Sequence, residues 1–402
     1  MNILFLTLTK IDDITENRGI YIDLMRKFSK EGHNLFIVSS LERRFGKQTQ
    51  CIEHSNVKYL NVKTLNIKKT NFIEKGLGIL LLEYQYKRAI QIFFPDVKFD
   101  LILYSTPPIT FTKVVKYLKK RNNATSYLLL KDIFPQNAVD LGLMKKNDLL
   151  HLFFKKKERD LYDASDFIGC MSPQNKEYIK QFNPSLSSEK IEVCPNSIEV
   201  IESENGKEFK NNIRRQYGIP EETTVFLYGG NLGKPQGVDF LREILKSNNN
   251  KTDRFFVIIG SGTEMNKIEK WFLEDNYTNA LQLSFLPKKE YDLFIKCADV
   301  GLIFLNKNFT IPNYPSRLLV YLENKMPILA ATDLNTDIGK IAAENNYGFW
   351  CENGDIIEFN KLIETYTNNP GLISDMGESG FAYLKENYTV NNTYGIILKH
   401  FQ

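Results

Sequence analysis

The sequence predicts an α/β protein of two domains, each built on a parallel sheet. At 402 residues the chain is too long for one ordinary hydrophobic core and suits two domains of roughly 200 residues each. Short apolar runs alternate with helix-period stretches through both halves, the pattern of strands joined by crossover helices. Several of these runs end in small or polar residues, and ligands of open parallel sheets sit at that carboxyl edge.

In the first half, residues 3–9 read as a strand, 19–31 as a helix and 34–39 as a second strand. A helix between two short strands implies parallel pairing. The pattern returns at 101–104, followed by Ser105-Thr106-Pro107-Pro108 and a helix through Lys120, and again at 126–130, 167–171 and 191–193. It ends around Pro195-Asn196-Ser197, so the junction falls within 195–205. A charged stretch with a helix across 208–217 follows, and strands resume at Thr224. The run Val225–Tyr228 breaks into Gly229-Gly230-Asn231-Leu232-Gly233-Lys234-Pro235-Gln236-Gly237, then helical periodicity begins at Val238. Phe255–Ile259 ends in Gly260-Ser261-Gly262, and 298–305 repeats the form. Strand and helix alternate to about Phe359, and helical stretches close the chain. The expected domains are 1–198 and 199–380, with a helix in 381–402 packing back on the first domain. A cleft between two such domains is the natural ligand site.

Composition is globular, 43% hydrophobic and 25% charged, and a net charge of +4 does not announce a nucleic-acid binder. The cations are clustered. Lys116, Lys119, Lys120 and Arg121 form one group; Lys145, Lys146, Lys155, Lys156, Lys157 and Arg159 flank the apolar segment 149–154. This second cluster reads either as a basic amphipathic helix on an anionic membrane surface or as a solvated helix face. No run reaches the roughly 18 to 20 apolar residues that span a bilayer. The amino terminus lacks the basic leader of a signal peptide, so the expected location is cytosolic, or peripheral on the inner face of the cell membrane. Cysteines at 51, 170, 194, 297 and 351 and histidines at 33, 54, 151 and 400 show no metal-binding spacing. No structural zinc and a reducing compartment are expected.

Chemistry concentrates in Phe309-Thr310-Ile311-Pro312-Asn313-Tyr314-Pro315-Ser316-Arg317-Leu318-Leu319. Pro312 and Pro315 stiffen the backbone ahead of an apolar helix, Ser316 suits its N-cap, and Arg317 stands at its start, where an anion would be held. An ordinary salt-bridged surface arginine is the alternative. Upstream, glycines at 229, 230 and 233 let backbone approach a ligand, and Lys234 adds a charge within reach of phosphate oxygens.

Taken in order and spacing, these segments, with Lys131-Asp132-Ile133-Phe134-Pro135-Gln136, resemble family-four retaining glycosyltransferases of the GT-B fold. The likeness is nearest to bacterial capsule and O-antigen enzymes, including N-acetylfucosaminyltransferases. It implies two Rossmann-like domains facing a central cleft, the later one holding a UDP-sugar and the earlier one presenting a lipid-pyrophosphate-linked saccharide. Carried over by position, Gly229, Gly230, Asn231 and Lys234 would line the diphosphate, Gly260 and Gly262 would approach the nucleoside, and Arg317 would meet the phosphates beside Ser316. Arg18 and Gly19 match a flexible glycine loop, and Lys131 and Asp132 a position near sugar and acceptor. The implied catalytic set is Asp132, Lys234 and Arg317, with no metal or cofactor. Relatives carry arginine and lysine where this chain has Asn231 and Gln236, so the positive charge must come from Lys234, Arg317 or both. They also carry two glutamates where an ungapped match gives Pro312 and Val320. Sugar contacts then fall to Thr310 and Asn313, with Glu323 a substitute ribose contact or an exposed helical glutamate. A non-hydrolysing UDP-sugar epimerase and a non-catalytic sugar-nucleotide sensor are the rival functions.

Overall fold

A computed structural model describes residues 1–67, 70, 72–202 and 206–401. The chain divides into two compact units, Met1–Glu199 with Val390–Gln402, and Val200–Thr389.

The first unit holds an eight-stranded sheet. Its strands are β1 (Asn2–Thr7), β2 (Asn34–Glu42), β3 (Gln50–His54), β4 (Val57–Thr64), β5 (Leu101–Ser105), β6 (Thr125–Leu130), β7 (Phe167–Cys170) and β8 (Ile191–Val193), in the order β3-β4-β2-β1-β5-β6-β7-β8. Every pairing is parallel except β3 with β4. β5 is buried along its whole length, as a strand covered by helices on both faces must be, which is why it reads as an unbroken apolar run. The hairpin β3–β4 and the long helix Phe72–Phe93 were not legible in advance: β3 is largely exposed and carries no apolar run.

The second unit holds a wholly parallel six-stranded sheet of β9 (Thr224–Asn231), β10 (Arg254–Ser261), β11 (Ala280–Leu283), β12 (Val300–Phe304), β13 (Ile328–Thr332) and β14 (Gly348–Glu352), ordered β11-β10-β9-β12-β13-β14. Phe226, Tyr228, Phe256, Ile258, Phe304 and Phe359 anchor its core. The β9–β10 register sets Gly229 opposite Ile259, Gly230 opposite Gly260 and Asn231 opposite Ser261, so both glycine-bearing strand ends finish level.

The return to the first unit comes later than expected. Helix Pro370–Asn387 stays with the second unit, because its Gly377 and Gly380 lie so close to Lys325 and Leu322 that an added Cβ would sit 2.1 Å from the Lys325 carbonyl oxygen and 2.8 Å from the Leu322 side chain. The crossing is at Val390, whose amide donates to the Ile198 carbonyl at 3.1 Å. Helix Val390–Leu398 then packs on helix Ile20–Lys30, with Tyr394 against Phe28 and its hydroxyl 3.0 Å from His33 Nε2.

Candidate functional site

In the second unit the chemistry gathers at the carboxyl ends of β9 and β10. Gly229 is buried beneath Tyr291, and its amide donates to the Tyr321 hydroxyl at 3.1 Å. Tyr321 in turn donates to the carbonyls of Leu227 and Leu302, tying the helix Arg317–Glu323 to the strand ends. Gly230 is exposed and has φ +127°, a conformation open to glycine and strained for any side chain. A Cβ there would lie 3.5 Å from the Arg317 guanidinium, so Gly230 and Arg317 face each other.

Arg317 is partly buried, with its guanidinium carbon 4.3 Å from the centre of the Tyr228 ring. Its Nη1 is shut off from solvent and has no hydrogen-bond partner, and no carboxylate pairs with it among the described residues. The salt-bridged alternative therefore fails: this is a cation without an anion. Lys234, also expected here, is exposed at the start of the short turn Lys234–Gln236, and its ammonium has no ion pair among the described residues.

Other expected site residues have work inside the chain. Asn231 Nδ2 donates to Gln236 Oε1 at 3.1 Å, and the same oxygen accepts from the Gly233 amide at 3.0 Å, closing the loop. Where the resembled family carries arginine and lysine, this chain has a neutral clamp. A Cβ on Gly260 would sit 1.9 Å from the Gly230 carbonyl oxygen, and one on Gly262 2.1 Å from that of Leu232. Both glycines thus serve close backbone packing on one side. Ser316 holds the N-cap position but with helical φ and ψ (−66° and −16°), and its side chain makes no capping bond; the expected cap is absent. Thr310 is exposed. Asn313 turns its Nδ2 back to the Ile311 carbonyl at 3.3 Å.

Glu323 is not where a ribose contact requires it. Helix Arg317–Glu323 starts at the carboxyl edge and carries Glu323 to the opposite edge, roughly 9 Å along its axis at 1.5 Å per residue. There Glu323 Oε1 accepts from the Ile201 amide at 2.9 Å, in a polar pocket of about 470 Å³ that Lys210, Asp299 and Lys325 also line.

A support not anticipated from sequence lies after β13. Buried Asp333 accepts from the amides of Asn335 (2.8 Å) and Thr336 (2.9 Å) and from the Thr336 hydroxyl (2.9 Å). The Thr336 hydroxyl oxygen accepts from the Asn313 amide at 3.0 Å, and Asn335 Nδ2 donates to the Phe309 carbonyl at 2.7 Å. The turn therefore holds both ends of the loop ahead of Arg317. Burial pushes the Asp333 carboxyl up to about 6. The polar cluster Asp333-Leu334-Asn335-Thr336 was the available signal.

In the first unit, Lys131 and Asp132 follow β6 at that sheet's carboxyl edge. Thr106 Oγ1 accepts from both amides, at 2.9 and 3.1 Å, and Asn137 Nδ2 donates to Asp132 Oδ1 at 2.7 Å. Burial pushes the Asp132 carboxyl up to about 6, against the Asn137 bond, and pushes the Lys131 ammonium down to about 8. Among the described residues Lys131 Nζ has only a long contact, 3.4 Å, to the Cys194 carbonyl. Gly19 opens helix Ile20–Lys30, and its amide donates to buried Asp23 at 3.1 Å. Arg18 bonds the Glu199 carbonyl, so it is already engaged within its own unit.

Among the described residues no group of three or more His, Cys, Asp or Glu side chains is placed to hold a metal ion. Four of the five cysteines are buried and all are free thiols.

Residues 209–382, all in the second unit, match the family described as Glycosyl transferases group 1. The chain is 22% identical over 330 residues to WbjE of Pseudomonas aeruginosa, named as a probable glycosyltransferase, covering 80% of this chain and 78% of that protein. It is 22% identical over 270 residues, 63% of each chain, to WcaI of Escherichia coli strain K12, named for colanic acid biosynthesis. HepE of Anabaena, solved in complex with UDP, superposes with a TM-score of 0.70 at 13% identity, over 100% of this chain and 99% of that one. The fold is GT-B.

Proposed function

We propose that this chain, whose residues 209–382 match the family described as Glycosyl transferases group 1, moves a sugar from a UDP-sugar to a lipid-pyrophosphate-linked saccharide during surface polysaccharide assembly at the inner face of the cell membrane. The observation that carries the reading is Nη1 of the Arg317 guanidinium, shut off from solvent and without a hydrogen-bond partner among the described residues, on a side chain that faces Gly230 at the sheet edge. A buried donor without an acceptor is unfavourable, and a diphosphate oxygen would satisfy it. That HepE was solved with UDP supports the donor class. The names of WbjE and WcaI support transfer in polysaccharide synthesis. N-acetylfucosamine as the sugar and retention at its anomeric carbon follow from the sequence resemblance.

The bond from the sugar to the diphosphate breaks as the bond to the acceptor oxygen forms, and the departing phosphate oxygen takes the acceptor proton. Arg317 and Lys234 stabilise the negative charge that develops there, a role fixed cations can fill without a metal. Asp132 orients the acceptor hydroxyl. An epimerase would need its own carboxylate and histidine set, yet none of the four histidines, at 33, 54, 151 and 400, stands beside one of the motif segments in the sequence.

Incubation with a panel of UDP-sugars and membrane lipid extract should release UDP only when acceptor is present. Epimerised donor would support the rival enzyme, and donor bound but never consumed would support a sensor.

A further inference from the structure

Three helices of the first unit form one layer, the central helix Thr112–Asn122 touching both Phe72–Phe93 and Leu149–Ala164. The outer two share an unusual pattern. In Leu149–Ala164 the inward side is filled by His151, Glu158, Leu161 and Tyr162, yet the opposite side begins with Leu149, Leu152 and Phe153, 39 to 88% exposed. In Phe72–Phe93, Leu82, Tyr86 and Ile90 point inward, while Leu77, Leu80, Leu81 and Tyr84 at i, i+3, i+4 and i+7 are 44 to 61% exposed. Between these apolar stripes the central helix turns out Lys113, Lys116 and Lys120, none of them ion-paired among the described residues. Lys145, Lys146 and Lys156 add exposed charge beside Leu149.

Each helix follows a strand of the parallel set, so each begins at the sheet's carboxyl edge, where Lys131 and Asp132 lie. The Asp132 loop also touches this layer directly: the Phe134 and Phe154 rings are 5.0 Å apart, and Phe154 packs against Phe153 at 5.3 Å.

We propose that this face docks on an anionic lipid bilayer, its leucines and Phe153 entering the headgroup boundary and its lysines meeting lipid phosphates. Charge complementarity selects this occupant. A second copy of the same face would bring lysine against lysine, whereas anionic headgroups pair with them. The docking surface deepens the reading of a lipid-linked acceptor and rests on it for its purpose, since it would set the Asp132 loop beside the bilayer that carries such an acceptor.

The test uses the full chain with vesicles of phosphatidylcholine alone or mixed with phosphatidylglycerol, read by co-sedimentation, with UDP binding measured in parallel by calorimetry. Binding to the anionic vesicles only is expected, weakened by added salt. The triple variant Leu80→Glu, Leu149→Glu, Leu152→Glu should weaken it by about tenfold or more, and the milder pair Lys113→Gln, Lys116→Gln by about tenfold. UDP affinity should be unchanged in both, and so should the circular-dichroism spectrum and urea midpoint of the full chain, which show that the first unit still folds. Absent vesicle binding, equal binding to neutral vesicles, indifference to both variants, or a dimer in light scattering that either variant dissolves would overturn the surface. UDP binding without vesicle binding would sink this inference and leave the transferase reading standing; vesicle binding without UDP binding would do the reverse.

Discussion

Arg317 is costly to fold as it stands, because a guanidinium nitrogen loses water and gains no acceptor. Such a group persists where a ligand completes it. Arg317→Ala should therefore weaken UDP binding by about 1.5 to 3 kcal/mol, the range of a charge-assisted contact, while leaving the urea midpoint unchanged or slightly raised. Calorimetry showing wild-type affinity would take Arg317 out of the donor site. Gly260 plays a different part. A methyl group there would press on the Gly230 carbonyl oxygen, which is backbone held in the β9–β10 ladder and cannot swing aside like a side chain. Gly260→Ala should cost about 1 to 3 kcal/mol in urea denaturation, and an unmoved midpoint would mean that the strand end yields freely.

The loop carrying Arg317 depends on the turn after β13, and that dependence can be tested apart from the arginine. Asp333→Ala would leave the Asn335 and Thr336 amides without their acceptor and release Thr336 from the Asn313 amide. A loss of about 1 to 3 kcal/mol in stability is expected, together with weaker UDP binding although Asp333 need not touch UDP. If stability falls while UDP affinity holds, the turn supports the fold alone. This element also shows where reading the sequence stopped. Strands β1, β5, β6, β9, β10 and β12 were legible because strands buried on both faces are continuous apolar runs, and Arg317 because prolines and an apolar helix frame it. Asp333 was not, since its value appears only when two loops distant in sequence meet. Glu323 was misplaced for a geometric reason: six residues of helix carry a side chain from one sheet edge to the other. Asn231 and Gln236 looked like missing charges, and their hydrogen bond shows a loop closed by neutral groups.

For the whole molecule, the question is whether the two units carry separable tasks, and the Asp132 carboxyl offers a way to ask. Its pKa is raised from 3.8 to about 6 by burial. Near neutral pH the carboxyl is ionised both folded and unfolded, so the folded chain bears the penalty of a buried charge. Between about pH 4 and 6 the folded state binds more proton than the unfolded one, so this group's contribution to stability falls as pH rises through that window and is flat on either side. The gap sets an upper limit of about 3 kcal/mol. Asp132→Asn should thus be more stable than wild type near neutral pH by up to that amount, with the difference shrinking to nothing below about pH 4. Transfer should behave oppositely. If the ionised carboxylate orients the acceptor, wild-type activity falls as pH drops through about 6, while the variant is slow at every pH and lacks that acid limb. If donor binding belongs to the other unit, as proposed, UDP affinity should be the same in both proteins. A variant with full activity and an intact acid limb would assign that limb elsewhere, with buried Asp333, also near 6, the next group to examine. Weakened UDP binding in Asp132→Asn would instead mean that donor capture requires both units.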